Sequence, residues 1–401
     1  MKITRITATW LHVPIPPERQ HVSDYGRTTS FDTALVRVDT DAGVIGYGEA
    51  RGALPAQANC AGVCAIVENE FAPLLLGEDP RDTSRLWEVM YNTDRAHFAL
   101  DRGHAFPNLG RRGANIQALS GIDVALWDIK AKSLGVPVWQ LLGGRRHAKM
   151  VCYASGGWAP ADKIGDQLKT FLAKGGYRAV KMRVGSADGT VAHSVERVKR
   201  AREALGPDID IMCDAHGTWT VAEAKRFCRQ VADCNLGWFE EPVAPDDKAG
   251  MAEVRAYTDI PIAAGEGEFT RFDFRDLIVG RCVDIIQPDP MLMGGITETM
   301  RVDALASAFQ VRTAPHLWGS AVGFAAGLHC AVAAVGGFIL EYSAGGGNPL
   351  IHELAREKFA ARDGYLEVPD RPGLGLTIDD AVVQQYRREW RSAVPNVLAG
   401  A

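Results

Sequence analysis

The spacing of apolar residues changes along the chain. From Lys2 to Thr9 apolar and polar positions alternate. Thr33 to Asp39 does the same before a turn signal, Thr40-Asp-Ala-Gly43, and a returning run, Val44 to Glu49. Period two with a turn between predicts antiparallel strands. Between the first two strands lies a polar loop, residues 16–30, with His21, Asp24, Tyr25 and Arg27. Its length suits a mobile or functional segment. Residues 58–76, 80–91 and 113–134 carry apolar residues at i, i+3, i+4 and predict helices. Residues 101–112, rich in Gly and Arg, read as a loop, and Gly135-Val-Pro137 ends the third helix. These elements form an α+β module.

From Lys149 the texture is different. Eight short apolar runs recur: Met150-Val-Cys-Tyr-Ala, Ala179-Val-Lys-Met, Ile209-Asp-Ile-Met-Cys, Leu236-Gly-Trp-Phe, Pro261-Ile-Ala-Ala, Val283-Asp-Ile-Ile-Gln, Val311-Arg-Thr-Ala and Gly336-Gly-Phe-Ile-Leu. Amphipathic stretches such as 161–175, 191–205, 221–234 and 296–309 separate them. Strand and helix in alternation imply a parallel sheet, and eight units point to a (β/α)8 barrel or a close variant. An open doubly wound sheet is the rival; no G-x-G-x-x-G follows the first run, which weakens its dinucleotide form. After Leu350 the alternation stops. Residues 364–375 read as a strand and turns that pack back on the N-terminal module.

Barrel enzymes carry their chemistry at the C-terminal ends of strands. The runs here end in Lys181-Met-Arg183, Asp214-Ala-His216, Glu240-Glu241, Glu266-Gly-Glu268, Gln287-Pro-Asp289, Pro315-His316 and Glu341-Tyr342. Asp214, Glu240 and Glu266 are spaced by 26 residues each, about one strand–helix–strand unit. The spacing brings them to one end of neighbouring strands, where three carboxylates repel unless a hard cation lies between them.

These residues resemble the enolase superfamily and, within it, the mandelate racemase group. The likeness spans Ser120-Gly-Ile-Asp-Val-Ala-Leu-Trp-Asp-Ile-Lys-Ala-Lys-Ser-Leu-Gly, Pro137-Val-Trp-Gln-Leu-Leu-Gly-Gly144, Glu240-Glu-Pro242, and Asp284-Ile-Ile-Gln-Pro-Asp289 with Gly294-Gly-Ile-Thr after it. It implies a modified (β/α)7β TIM-type barrel with an α+β capping domain built from N- and C-terminal segments. The expected division is a capping domain at 1–125, a barrel at 126–350 and a completing C-terminal segment at 351–401. It also implies one Mg2+ per subunit on Asp214, Glu240 and Glu266; Mn2+ is compatible with the same donors. Residues 16–30 and 49–57 would shape specificity.

The group abstracts the proton α to a carboxylate, and the resemblance makes His316 the base, oriented by Asp289. Lys181-x-Arg183 resembles the group's Lys-x-Lys, but Arg stays protonated and is a poor base. Arg183 is therefore expected to hold the substrate carboxylate or enediolate, with Lys181 doing likewise or donating a proton. His216 follows the first metal ligand as it does in mannonate dehydratases, and serves either as a second acid/base or as a partner of the metal site. If the strand persists, Asp214 and His216 project to one face. Glu341 resembles an acid that hydrogen-bonds the substrate carboxylate, and would be protonated to do so.

With one convincing base, elimination is favoured over racemisation. The expected function is a lyase: a sugar-acid (aldonate or aldarate) dehydratase giving a 2-keto-3-deoxy acid in carbohydrate acid catabolism. The alternative is a racemase or epimerase of an α-hydroxy or related carboxylic acid. A non-catalytic metal-binding regulator is a third reading that an intact ligand set and dyad disfavour.

Composition narrows the partners. A net charge of −5 argues against nucleic-acid binding, leaving a small-molecule carboxylate. Eight cysteines occur without a CxxC pair. Cys60 and Cys64 share a helix face, but buried thiols in a reducing cytoplasm are a simpler reading than a zinc pair. The N-terminus has no uninterrupted apolar core of a signal peptide, and no apolar run spans a membrane. A homo-oligomer, dimer or octamer, is what the resemblance implies.

Overall fold

The computed structural model describes residues 1–24, 26–52, 59–93, 95, 98, 101–103, 108–345 and 347–391. Expectations about Tyr25, the His21 side chain, residues 53–58 and residues 104–107 lie outside them.

The N-terminal alternation forms strand β1 (Ile3–Pro14), a small hairpin of β2 (His21–Ser23) and β3 (Gly26–Thr28), then β4 (Ser30–Thr40) and β5 (Ile45–Ala50). β1, β4 and β5 make an antiparallel sheet. Period two sorts its residues to two faces. Ala8, Trp10, Ala34, Val36 and Val38 enter the core of the capping module, while Leu11, Val13, Phe31 and Leu35 join the barrel core. Both faces are therefore buried where the two domains meet.

Residues 61–75 are helical as expected, with one π turn at Ile66–Phe71. The helix Ala114–Leu134 is apolar nearly all round and is buried on both sides, as such a helix must be. Its Ile122 and Ile129 enter the cap core, and its Val124 and Ala131 the barrel core. It comes within backbone contact of β5, where a Cβ on Gly48 would lie 1.9 Å from the Gly121 carbonyl. The expected boundary at 125/126 falls inside this continuous helix.

All eight apolar runs of the second half are strands: β6 (Lys149–Ser155), β7 (Ala179–Arg183), β8 (Asp210–Asp214), β9 (Leu236–Glu240), β10 (Ile262–Ala264), β11 (Ile285–Ile286), β12 (Arg312–Thr313) and β13 (Leu340–Ser343). They pair in parallel in the order β12-β11-β10-β9-β8-β7-β6-β13, and a parallel bridge from Thr313 to Gly337 closes the ring. Seven helices connect the eight strands, which is the (β/α)7β barrel. Each strand or its flank sends one side chain into the lumen: Tyr153, Ala179, Met212, Trp238, Ala263, Ile285, Ala314 and Ile339. Large rings set against alanines fill the interior, so the chemistry is confined to the rim above.

The C-terminal segment 364–375 divides. Strand β14 (Tyr365–Glu367) pairs antiparallel with β6 of the barrel, while the turn after it packs back on the N-terminal module as expected: the Leu374 N–H donates to Asp128 Oδ1 of the helix Ala114–Leu134 at 2.9 Å, and Gly373 bridges to Pro137. β6 offers a free edge there because only its last two residues pair with β7. Further on, β15 (Arg387–Arg388) joins the capping sheet by pairing with β1 at Leu11 and Trp10. All eight cysteines are free and buried. Among the described residues no helix is long and apolar enough to cross a membrane.

Glu49 joins the two domains. Its buried carboxylate accepts from Thr33 Oγ1 (2.6 Å) in the cap, and from Ser320 N (2.9 Å), Ser320 Oγ (2.5 Å) and Gly323 N (2.8 Å) at the start of the barrel helix Ala321–Ala333. An anion at a helix N-terminus is favoured. Glu49→Ala leaves these buried donors without an acceptor and should destabilise the protein by on the order of 3–5 kcal/mol, read as a lower denaturation midpoint.

The same helix carries His329, fully buried, whose Nδ1 accepts from the Trp139 backbone N–H at 3.2 Å. Burial pushes its pKa down to about 4. The unfolded chain therefore takes up a proton on this ring first as pH falls. The stability it contributes is complete above about pH 6.5 and is lost toward pH 4, on the order of 3 kcal/mol. His329→Asn should flatten that part of the stability–pH curve in chemical denaturation, whatever its effect at pH 7.

Candidate active site

Strand register places the acids. Asp214 ends β8 opposite Glu240 at the end of β9, and Arg183 on β7 pairs with Asp214. Glu266 stands two residues beyond β10, after Gly265 (φ +137°). A Cβ on Gly265 would meet Phe274 at 2.8 Å and the Gln287 backbone N at 3.0 Å, so this turn toward the rim requires glycine. Asp214, Glu240 and Glu266 are buried, and each offers an oxygen within 4.8 Å of the others.

Cations and hydrogen-bond donors surround the three. Lys181, fully buried, has Nζ 2.5 Å from Glu240 Oε1, 3.1 Å from Glu341 Oε1 and 3.5 Å from Asp214 Oδ2. Arg183 Nη1 donates to Asp214 Oδ2. Trp238 Nε1 (3.0 Å) and Gln287 Nε2 (2.7 Å) donate to Glu240 Oε2. On one side His316 is held by Asp289, Nδ1 to Oδ2 at 3.0 Å, and turns Nε2 toward Glu266 Oε2 at 3.2 Å. On the other, His216 turns Nε2 toward Asp214 Oδ2 at 3.6 Å. Strand geometry does not persist to His216. Its backbone is left-handed (φ +47°) and its N–H donates to Asp214 Oδ1. A reversal just past the strand end, not alternation along it, brings the ring to the rim.

The electrostatics follow from burial and crowding. Burial and then the adjacent Asp214 push Glu240 up to about 8. Asp214 goes the other way: burial is outweighed by Arg183 and His216, which hold it well below the carboxylate range. Glu266 is also lowered: its burial is outweighed by His316, Arg51 and His216 together. Burial would neutralise Lys181, yet Glu240 and Glu341 keep it strongly cationic. His316 is raised: burial opposes its charge, and Glu266, Glu341 and the Asp289 bond favour it.

Glu341 departs from the protonated acid expected of it. Burial would raise it, but Lys181 and His316 hold it at about 2, so it is an ionised partner of Lys181. Glu268, beside the site, accepts from Lys248 Nζ at 3.0 Å. Glu241 is pushed up the scale, first by burial and then by Glu266.

Three site residues lay beyond the reading of strand ends. Arg51 follows β5 of the cap and reaches Asp289 Oδ2 at 3.3 Å and His316 Nδ1 at 3.4 Å. Asp24 comes from the capping hairpin and accepts from His216 Nδ1 at 3.0 Å. Trp158, just past β6, stands with its ring 6.0 Å from the Arg183 guanidinium. A single cavity is lined by Arg51, Trp158, Arg183, His216, Glu266 and His316, with Ser23 and Thr28 of the hairpin above them. The only prior signal for Arg51 and Asp24 was their position in cap segments expected to cover the rim.

An all-oxygen donor set with one member pushed toward neutrality fits a hard divalent cation. Glu266 Oε2, buried and without a hydrogen bond, supports the same fit.

Comparison with known proteins agrees with this architecture. Residues 5–143 match the mandelate racemase / muconate lactonizing enzyme N-terminal domain, and residues 163–382 the enolase C-terminal domain-like family. The chain belongs to the enolase superfamily, in its mandelate racemase group. It is 34% identical over 391 residues to a D-galactarolactone cycloisomerase of Agrobacterium fabrum, covering 92% of this chain and 97% of that one. It is 34% identical over 411 residues to a D-galactonate dehydratase of Ralstonia pickettii, covering 98% and 97%. A racemase from Streptomyces coelicolor A3(2), solved with bound magnesium, superposes with a TM-score of 0.82 at 29% identity over 96% of this chain and all of that one.

A cation that binds the three acids should raise the melting temperature by a few degrees when its concentration is about 100-fold above Kd, since this stabilises by about 2.7 kcal/mol. Thermal melts with Mg2+ or Mn2+ should show the rise in the natural protein. Asp214→Asn, Glu240→Gln and Glu266→Gln should each lose most of it.

Proposed function

We propose that this protein is a Mg2+-dependent hydro-lyase that dehydrates a sugar acid, an aldonate or aldarate, to a 2-keto-3-deoxy acid. The observation that carries the reading is the pair of histidines, His316 and His216, aimed through Nε2 at opposite sides of one acid triad. The relatives named as a galactonate dehydratase and a galactarolactone cycloisomerase support it, since both act on sugar acids or their lactones.

Asp214, Glu240 and Glu266 are the proposed ligands. When bound, Mg2+ would supply Lewis-acid stabilisation of the charge that builds on the substrate carboxylate. His316 Nε2 takes the C2 proton, and Asp289 on Nδ1 keeps the ring oriented and supports the charge it gains. The electron pair released at C2 is held as an enediolate beside Lys181 and Arg183. It then forms the C2–C3 double bond as the C3–O bond breaks. The hydroxyl leaves as water with a proton from His216 Nε2, and the enol gains a proton at C3 and loses the one on its C2 hydroxyl to become the ketone. The substitution of Arg for Lys at 183 fits this division. Arg183 and Lys181 are both pushed up as cations, which suits electrostatic support and not proton abstraction.

A panel of aldonic and aldaric acids with Mg2+, read by semicarbazone absorbance, should give a keto acid from at least one member. His316→Asn should lower both that rate and C2 deuterium exchange in D2O by 10³-fold or more, on the order expected for loss of a general base. Epimerisation of an α-hydroxy acid with no keto acid from any sugar acid would overturn the reading.

A further inference from the structure

The capping hairpin reaches into the site at one residue. Asp24 lies between β2 and β3, and its side chain is 3% exposed. Its Oδ2 accepts from His216 Nδ1 at 3.0 Å. Its Oδ1 accepts from Ala187 N at 2.7 Å and Ser186 Oγ at 3.0 Å. Ser186 and Ala187 follow β7, and His216 follows β8. One carboxylate thus spans the cap and two adjacent barrel loops. Burial works against its charge, but the bonds from His216 and Ala187 hold it below the usual carboxylate range.

We propose that Asp24 is a positioning residue for the elimination step, holding the His216 ring with Nε2 toward the acid triad and completing this half of the site only when the capping hairpin lies on the barrel. The inference rests on the dehydratase reading above.

Three observations carry it. First, an ionised carboxylate only accepts, so the proton of the His216–Asp24 bond sits on Nδ1. Nε2 is then the atom through which this ring exchanges a proton with the site. Second, the arrangement repeats the one across the triad. Asp289 holds His316 through Nδ1 at the same 3.0 Å, and each Nε2 faces a different acid of the triad. Third, the two aspartates differ in origin. Asp289 belongs to the barrel and, among the described residues, does not touch the hairpin, whereas Asp24 belongs to the hairpin whose Ser23 and Thr28 line the substrate cavity. Contact between substrate and hairpin is thereby linked to the orientation of His216 and not to that of His316.

Asp24→Asn tests this with little change of shape. The Ala187 N–H requires an acceptor, so the Asn oxygen stays there and its amide NH2 faces His216 Nδ1. That donor forces the opposite tautomer onto the ring. Keto-acid formation should fall by about 10²–10³-fold, the scale of losing an oriented acid. C2 deuterium exchange through His316 should remain within about 5-fold. In a His216→Asn background the Asp24 substitution should add less than about 2-fold, because two residues acting as one unit are not additive.

Side-chain 15N NMR of His216, assigned by its loss in His216→Asn, should move from the Nδ1–H to the Nε2–H tautomer in Asp24→Asn. An unchanged tautomer, equal losses of exchange and elimination, or multiplying effects in the double variant would overturn the positioning role. If the natural protein forms no keto acid from any sugar acid while the tautomer still changes, the reaction assignment fails and the positioning stands.

Discussion

Three buried carboxylates within 4.8 Å of one another set the constraint on which the site depends. Like charges that close do not all ionise without compensation, and burial together with the adjacent Asp214 raises Glu240 to about 8. The surroundings read as answers to it. Lys181 and Arg183 bring fixed positive charge from β7, and Trp238 and Gln287 bind the Glu240 oxygen that Lys181 does not reach. A divalent cation is the compensation that an all-oxygen donor set favours. The charge arrangement that holds such an ion also suits an anion forming on a bound substrate carboxylate.

The two domains share the work unequally. The barrel places the acids, both histidines, Lys181 and Arg183 on the ends of parallel strands above a closed floor of packed side chains. The cap adds few polar residues, each at a specific place. Glu49 joins the cap to the helix Ala321–Ala333, Arg51 reaches the His316–Asp289 pair, and Asp24 reaches His216. A barrel strand fixes a side chain to within its register, while a cap residue arrives only if the domains dock. Groups on the strands are therefore suited to invariant chemistry. Groups on the cap are suited to discriminating substrates and to linking their capture to catalysis.

Glu341 and His216 show how context overrides a local reading. Glu341 looked like an acid needing an apolar pocket to stay neutral. Burial would raise it, but a buried lysine together with His316 and its hydrogen bonds prevails over desolvation. His216 reached its expected location by a different backbone path, a left-handed residue after the strand end. In both cases the residue type was legible and its surroundings were not.

The sequence by itself determined the alternation of eight strands with helical segments, the antiparallel module before them, and the acids, lysine, arginine and histidines that end the strands. Periodicity and strand-end chemistry are local properties, written within a few residues of where they act. Tertiary structure alone decided the edge on which β14 pairs, the ionised state of Glu341, and the arrival of Arg51 and Asp24 beside the two histidines. Asp24 and His216 are 192 residues apart, and no spacing along the chain encodes that contact. It exists because a sheet with two buried faces seats the cap on the rim.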